Sequence, residues 1–292
     1  MLPTITAYST ALFATWYFVD EYALLFDAGD GLTAHLLQKA RKVRHVFVSH
    51  ADRDHLAGLL QFRQLNARED FPRIYYPRDS QSFTHLARFS QQFDPHVMGE
   101  TWIPVHYDEV IPLQKNLRVR TFRTEHLPFP PTMVKTMGFH LERQKRKLKP
   151  EFHGLDGREI ARLRQLHGDD YVTDVATENI LSYSGDSPVA TDGRFEKTNI
   201  LLHEATFLRI DETVMDHERA HRHSTLEGVL RMVRETDVKH LVLGHFSVRY
   251  SLEEIDTEIR RLAKLYRLTI PVYRIPPGTC VRDILRTLPV NA

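Results

Sequence analysis

The sequence contains a single cysteine, Cys280, among 292 residues. One cysteine cannot form an intrachain disulfide, and it excludes a metal site built from several thiolates. Scarcity of cysteine fits a reducing compartment. The first ten residues also lack the charged and then apolar pattern of a signal peptide. We therefore expect a cytoplasmic protein.

The chain also lacks any apolar run near the roughly 18–20 residues that a bilayer-spanning helix requires. It contains no fixed-period repeat and no low-complexity tract. Hydrophobic residues make up 42% of the chain and charged residues 26%, which is typical of a globular protein and excludes general disorder. We expect one domain over residues 1–292, with no membrane segment.

Neither sign of charge dominates, since 39 Lys and Arg oppose 38 Asp and Glu. Binding of nucleic acid would therefore depend on a local basic patch. Residues 142–170 form one such segment, because five basic residues lie between positions 143 and 149. We interpret this segment as a basic insertion that protrudes from the main body. A solvated surface without a ligand is the alternative.

Short apolar runs alternate with longer amphipathic segments, which predicts a mixed α/β fold. Residues 10–20 and 23–27 predict a hairpin. Further strands are predicted at 46–48, 73–76, 102–106, 118–124, 137–141, 179–183, 200–203 and 241–243. Helices are predicted from Leu32, from just after His55, over 82–93, within 160–166, from Leu226 and over 255–265.

One segment carries metal-binding chemistry. His50, Asp52, Asp54 and His55 follow directly after the buried strand 46–48. Side chains alternate along an extended chain, so His50 and Asp52 project to the same side. Asp54 and His55 fall where the next helix begins. Each of these residues alone is common at a helix start or on a surface. Two imidazole and two carboxylate groups within six residues, however, predict a divalent-metal site.

The pattern His50-x-Asp52-x-Asp54-His55 resembles the signature loop of the metallo-β-lactamase superfamily, whose usual form is His-x-His-x-Asp-His. Three further residues that match the superfamily's order each follow a predicted strand: His126, Asp186 and His245. The resemblance implies a four-layer αββα sandwich, in which helices flank two mixed β-sheets.

The short motifs around these residues are similar to those of tRNase Z. This family comprises the endonucleases that trim the 3′ ends of precursor tRNA. The motifs are Thr124-Glu125-His126, Ser184-Gly185-Asp186-Ser187, His203-Glu204-Ala205-Thr206-Phe207, His223-Ser224-Thr225 and His245-Phe246-Ser247-x-Arg249-Tyr250. The resemblance covers about residues 26–250. It implies an RNA substrate, precursor tRNA, and a homodimer.

The resemblance also implies roles for single residues in a site with two divalent ions. His50, Asp52 and His126 would bind the first ion, Asp54, His55 and His245 the second, and Asp186 both. Asp54 would also orient a metal-bound hydroxide that attacks the phosphodiester. His223 would protonate the leaving oxygen, with Glu204 holding its ring, while Ser247, Arg249 and Tyr250 would contact the substrate. His203 is either a core residue or a support of the site. We interpret His153, His167, His217 and His221 as surface residues.

The sequence departs from the tRNase Z pattern in four places, one of which is residues 26–31, which match the family's element only loosely. Asp52 stands where the signature has its second histidine, so the first site contains an oxygen ligand in place of nitrogen. Zinc is the expected metal, with manganese, magnesium or iron as alternatives because of Asp52, unless Asp52 does not ligate at all. Residues 8–11 replace the glycine-rich opening of the family, and residues 142–170 lack the Gly-Pro pair of its tRNA-binding arm.

These observations favour a metal-dependent phosphodiesterase similar to tRNase Z, with RNA or a related phosphodiester as substrate. One alternative uses the same metals on a small molecule, such as a cyclic nucleotide, a phosphoester or a lactone. Fold alone does not choose between these substrates. Another alternative is a nucleic-acid-binding protein with a degraded metal site.

Overall fold

The computed structural model describes residues 2–66, 68, 70–93, 101–114, 116–209 and 222–292. A first sheet contains six strands in chain order: β1 (Ile5–Thr10), β2 (Ala14–Val19), β3 (Leu24–Phe26), β4 (His45–Phe47), β5 (Arg73–Pro77) and β6 (Trp102–Val105). The pairs β1–β2 and β2–β3 are antiparallel, whereas β3 to β6 are parallel. The sheet is therefore mixed.

A second sheet contains seven strands: β7 (Val110–Gln114), β8 (Leu117–Arg123), β9 (Met137–Leu148), β10 (Thr173–Tyr183), β11 (Thr198–Glu204), β12 (Val238–Gly244) and β13 (Val272–Arg274). They lie in the order β13 to β7. Strands β7 to β10 pair antiparallel, and β10 to β13 pair parallel. This sheet is also mixed.

The helices lie between these strands along the chain. They are α1 (Leu32–Leu36), α2 (Arg53–Leu56), α3 (Leu59–Asn66), α4 (Gln81–Phe93), α5 (Gly157–His167), α6 (Asp169–Val172), α7 (Leu226–Arg234) and α8 (Leu252–Tyr266). Short 3-10 turns occupy 20–22, 37–42, 150–152 and 284–286. Among the described helices, none combines the length and the apolarity that a membrane crossing requires.

Three apolar layers hold these elements together. Between the sheets, Phe26 of β3 stacks on Phe139 of β9 with ring centroids 5.7 Å apart. The outer face of the first sheet packs against α1, α3 and α4, where Phe62 and Phe83 are fully buried. The outer face of the second sheet packs against α7 and α8. The predicted αββα sandwich is thereby confirmed.

The metal-ligand loop folds differently from the prediction. Helix α2 begins at Arg53, so the prediction that it starts after His55 is wrong, and Asp54 and His55 lie in its first turn. Helix α2 ends at Leu56, and Gly58 separates it from α3, which begins at Leu59. A Cβ on Gly58 would lie 2.2 Å from the carbonyl oxygen of Gly29, so only glycine allows this close approach. The two short helices thereby pack tightly on the loop that follows β3.

Three strands were not predicted, because their patterns are weak. β1 precedes the predicted hairpin, and residues 11–13 form its turn with β2. β7 includes Pro112 at its centre, and β13 has only three residues. Strand β9 continues to Leu148 and pairs with β10 from Thr173. The first part of segment 142–170 is therefore a strand of the second sheet, and α5 follows it.

Candidate metal centre

Loops that follow four strands bring the predicted ligands to one place. His50 and Asp52 follow β4, His126 follows β8, Asp186 follows β10 and His245 follows β12. Gly185 has a φ of 59°, a left-handed conformation that glycine adopts without a penalty. A Cβ there would lie 3.0 Å from Ser49 Cβ and from the Met137 carbonyl oxygen. This close passage sets Asp186 beside the loop that follows β4.

The first group of ligands joins three residues. The Oδ2 atom of Asp52 lies 3.6 Å from His50 Nε2 and 3.7 Å from His126 Nε2. The second group joins Asp54 Oδ2 to His55 Nε2 at 3.6 Å and to His245 Nε2 at 3.5 Å. Each group contains two imidazoles and one carboxylate, and each is compact enough to hold an ion.

Asp186 lies between the two groups. Its Oδ2 atom is 3.4 Å from His55 Nε2, 3.2 Å from His245 Nε2 and 3.9 Å from His50 Nε2. Ligand atoms about 2.1 Å from a tetrahedral ion are separated from each other by about 3.4 Å. The distances from Asp186 to His55 and His245 are therefore compatible with atoms that share a cation.

Four histidine rings are oriented by their Nδ1 atoms. His55 donates to Asp27 at 2.7 Å, His50 to Ser49 Oγ at 2.9 Å, His245 to Thr206 Oγ1 at 2.8 Å and His126 to the Arg222 carbonyl at 3.1 Å. The Nε2 atoms of His50, His55 and His245 are buried without a hydrogen-bond partner. A buried polar atom requires a partner, and the carboxylate oxygens within 4 Å of these three Nε2 atoms make them suited to bind a metal ion.

The carboxylates of the centre are ionised. His126 and His50 beside Asp52 hold the pKa of that carboxyl far below its usual range. Burial raises the pKa of Asp54, but His55 and His245 outweigh burial and lower it to about 2. Burial also raises the pKa of Asp186, but His245 and His55 outweigh burial and lower it. Three negative charges and four imidazoles in one place fit divalent cations.

Asp27 supports the ligands and was not among the predicted site residues. Its carboxylate accepts hydrogen bonds from the Ser49 amide at 2.7 Å, the Ser49 hydroxyl at 2.9 Å, His55 Nδ1 at 2.7 Å and the Tyr183 hydroxyl at 2.5 Å. The sequence signals for it were an acidic residue directly after the apolar residues 24–26 and the loose match of residues 26–31 to the tRNase Z pattern. Its partners lie far away along the chain.

A second support network contains His223. Glu204 Oε1 lies 2.9 Å from His223 Nδ1, as the resemblance implied. Thr206, another residue not predicted, donates to Glu204 Oε2 at 2.6 Å and accepts from His245 Nδ1. Burial lowers the pKa of His223, but the Glu204 carboxylate outweighs burial and raises it to about 9. His223 thus stands beside the metal ligands with a well-defined orientation.

A small cavity opens onto the centre. Its lining includes Ser247 and Arg249 together with Asp54, His223 and His245. Tyr250 does not line it: the tyrosine packs among the residues of the α7–α8 layer, and its hydroxyl accepts a hydrogen bond from the Leu208 amide at 3.4 Å. The structure brings two of the three predicted substrate-binding residues to the site.

The remaining histidines lie elsewhere. His203 is fully buried, donates to the Glu204 carbonyl at 2.8 Å and packs edge-on against Phe195, which is the environment of a core residue. His153 and His167 are exposed, as predicted. His217 and His221 lie outside the described residues.

Several known proteins are similar to this chain in sequence and in fold. A family model described as a beta-lactamase superfamily domain matches residues 22–156. A ribonuclease Z from Streptomyces coelicolor is 29% identical over 86% of this chain and 86% of its own length. A tRNase Z from Arabidopsis thaliana, TRZ1, is 26% identical over 74% of this chain and 77% of its own length. The chain is similar to ribonuclease Z along most of its length and has the metallo-β-lactamase fold.

Solved structures agree on the fold. The metallo-β-lactamase fold protein YhfI from Bacillus subtilis superposes with a TM-score of 0.61 and 18% identity, over 95% of this chain and 98% of that chain. Identity at this level establishes a common architecture and not a common substrate. The fold implies divalent-metal binding, and the His and Asp clusters at the strand ends are compact enough to hold such ions.

We predict that Asp27→Asn lowers metal affinity about 10- to 100-fold, as expected when the support of a ligand is removed. An amide cannot accept all of the hydrogen bonds that the Asp27 carboxylate accepts. Asp30→Asn, an exposed change three residues away, is the matched control. The measurement is competition for manganese or zinc against a chromophoric chelator. Equal affinity in the two variants would show that Asp27 does not tune the metal ligands.

Proposed function

We propose that this chain is a metal-dependent phosphodiesterase that cleaves RNA in the manner of ribonuclease Z, with precursor tRNA as substrate. The observation that carries the proposal is the pair of ligand groups that share Asp186. Two divalent ions in such a site activate water and neutralise charge on an attacked phosphate. His50, Asp52 and His126 would hold one ion, and Asp54, His55 and His245 the other.

Arg249 and Ser247 are placed to bind the phosphate. Both line the cavity beside the ligands, and Arg249 Nε donates to Ser247 Oγ at 3.2 Å. The Arg249 guanidinium also lies over the ring of Phe207, 5.5 Å from its centroid. A planar guanidinium held on an aromatic face is well oriented for a phosphate oxygen. We assign these two side chains to substrate binding.

His223 is suited to protonate the leaving oxygen. Its Nδ1 atom is occupied by Glu204, so the proton to be transferred resides on Nε2. The ring lines the cavity and its side chain is 15% exposed, so a substrate can reach it. The Glu204 carboxylate raises the pKa of His223, which favours the protonated ring that an acid requires. Glu204 is therefore a positioning residue and His223 the acid.

Support for RNA comes from the relatives, which are named as ribonucleases Z, and from the shared sequence words around the ligands. One observation favours a smaller phosphodiester. Four of the basic residues in segment 142–170 are paired with acids: Lys145 with Glu178 at 2.6 Å, Arg146 with Asp170 at 2.5 Å, Arg164 with Asp169 at 3.4 Å and Arg143 with Glu178 at 3.9 Å. Such pairing reduces the positive charge available for an RNA backbone.

We propose zinc as the native metal. The two groups are rich in imidazole nitrogen, which zinc binds readily. Manganese, magnesium and iron are the alternatives, because Asp52 adds an oxygen ligand to the first group. The Asp52 carboxylate occupies the position between His50 and His126, which supports its role as a ligand.

We predict that the purified protein cleaves precursor tRNA at its 3′ trailer when a divalent ion is present. Asp186→Asn, which removes the shared carboxylate charge, should lower this rate by at least about 10²-fold. The measurement is a gel assay of labelled precursor tRNA, run beside bis(p-nitrophenyl) phosphate. Turnover of the small ester without cleavage of RNA would contradict the RNA assignment. A protein that retains no divalent ion by mass spectrometry would favour the degraded site.

For His223→Asn we predict a loss that depends on the leaving group. General acid catalysis contributes about 10²- to 10⁴-fold when the leaving alkoxide needs a proton. RNA cleavage should fall in that range, whereas hydrolysis of bis(p-nitrophenyl) phosphate should change little, because p-nitrophenolate leaves without a proton. His153→Asn, at an exposed histidine, is the matched control. An equal loss on both substrates would argue against the acid role.

For Asp52→His we predict a shift of the preferred metal toward zinc, with activity retained. The change restores three imidazoles to the first group. The measurement is activity on bis(p-nitrophenyl) phosphate against added zinc and manganese, together with metal content by mass spectrometry. Asp30→His places the same side chain at an exposed position as a control. An unchanged metal profile would show that Asp52 is not a ligand.

A further inference from the structure

The turn between β1 and β2 exposes an apolar side chain at the rim of the metal centre. Leu12 lies in this turn with a side chain that is 75% exposed and a φ of 70°. Glycine and asparagine adopt this left-handed conformation at lower cost than leucine. Residues held in such conformations concentrate at ligand sites. A leucine that is both strained and exposed at this position is therefore a candidate for contact with a ligand.

The turn is attached directly to the site. The Leu12 amide donates to Oδ2 of Asp54 at 3.2 Å, the carboxylate oxygen of the second ligand group. The Ala11 amide donates to the Phe246 carbonyl at 3.3 Å, next to His245. Leu12 also lines the cavity that contains Arg249. The backbone of Leu12 is therefore held at the cavity wall.

The charged and apolar side chains of the cavity wall together favour one class of ligand. Arg249 and the metal centre attract an anionic phosphate, whereas the isobutyl group of Leu12 offers only apolar contact. A nucleotide joins these two properties, because a flat base is attached through ribose to the phosphate. We propose that Leu12 packs against the nucleobase next to the scissile phosphate and thereby determines which substrates bind. This inference rests on the proposed function, since it places a phosphodiester at the same metals.

The sequence supports a contact specific to this chain. Residues 8–11 replace the glycine-rich opening of tRNase Z, and Leu12 follows directly after them. A glycine-rich loop has no side chains with which to cover a base. The neighbouring Phe13 provides a matched control, because it lies in the same turn with 58% exposure but does not line the cavity.

The test measures binding to the full-length, metal-loaded protein by isothermal titration calorimetry. The two probes are adenosine 5′-monophosphate and inorganic phosphate, which differ by the nucleoside. Leu12→Asn keeps a residue that accepts the left-handed backbone and removes the apolar contact. We expect it to weaken nucleotide binding about five- to tenfold and to leave phosphate binding within about twofold. Leu12→Met should retain nucleotide binding, and Phe13→Asn should change neither affinity.

Two results would overturn the proposal. One is equal weakening of nucleotide and phosphate, or no weakening, in Leu12→Asn. The other is a wild-type protein that binds the nucleotide no more tightly than phosphate. The binding assay does not depend on turnover. Leu12-dependent nucleotide binding without RNA cleavage would count against the proposed function alone, and RNA cleavage with Leu12-independent binding would count against this inference alone.

Discussion

The buried carboxylate of Asp27 joins the two sheets at the metal centre. It follows β3 of the first sheet and accepts a hydrogen bond from Tyr183 at the end of β10 in the second sheet. It also orients Ser49 and His55, on either side of the ligand His50. A buried carboxylate is costly unless hydrogen bonds compensate for its lost hydration. Here the compensating donors belong to the elements that carry the ligands, so a stable core and an oriented metal site require the same contacts.

The parts of the fold that the sequence predicted well are those with a strong local pattern. Buried strands such as β4 and β12, and helix α7 with Thr225 as its N-cap, follow from apolar spacing and capping alone. The parts that were missed depend on distant contacts. β13 is a strand because it pairs with β12, and the start of α2 depends on a fit against the loop after β3. Neither contact leaves a signature within a short window of sequence.

The same distinction applies to the site. The candidate ligands could be predicted because they lie at strand ends and match a known motif, and the structure brings these residues together. The supporting residues were missed because their roles are defined only by geometry. Asp27 and Tyr183 are 156 positions apart, and Thr206 lies between Glu204 and His245, which are 41 positions apart. Tyr250 was predicted to bind substrate because it follows Arg249 in the sequence. In the structure it does not line the cavity, so closeness in sequence did not predict its position.

Asp52 changes the charge of the centre as well as its ligand type. With the two divalent ions proposed above, three carboxylates would leave about one positive charge, whereas a histidine at position 52 would leave about two. The centre would therefore attract a phosphate less strongly than one with the usual signature. The cavity has other means of retaining a nucleotide, because Arg249 adds a positive charge and Leu12 an apolar surface. On this proposal, the cavity wall would contribute a larger part of the binding free energy of a nucleotide, and its side chains could discriminate between substrates.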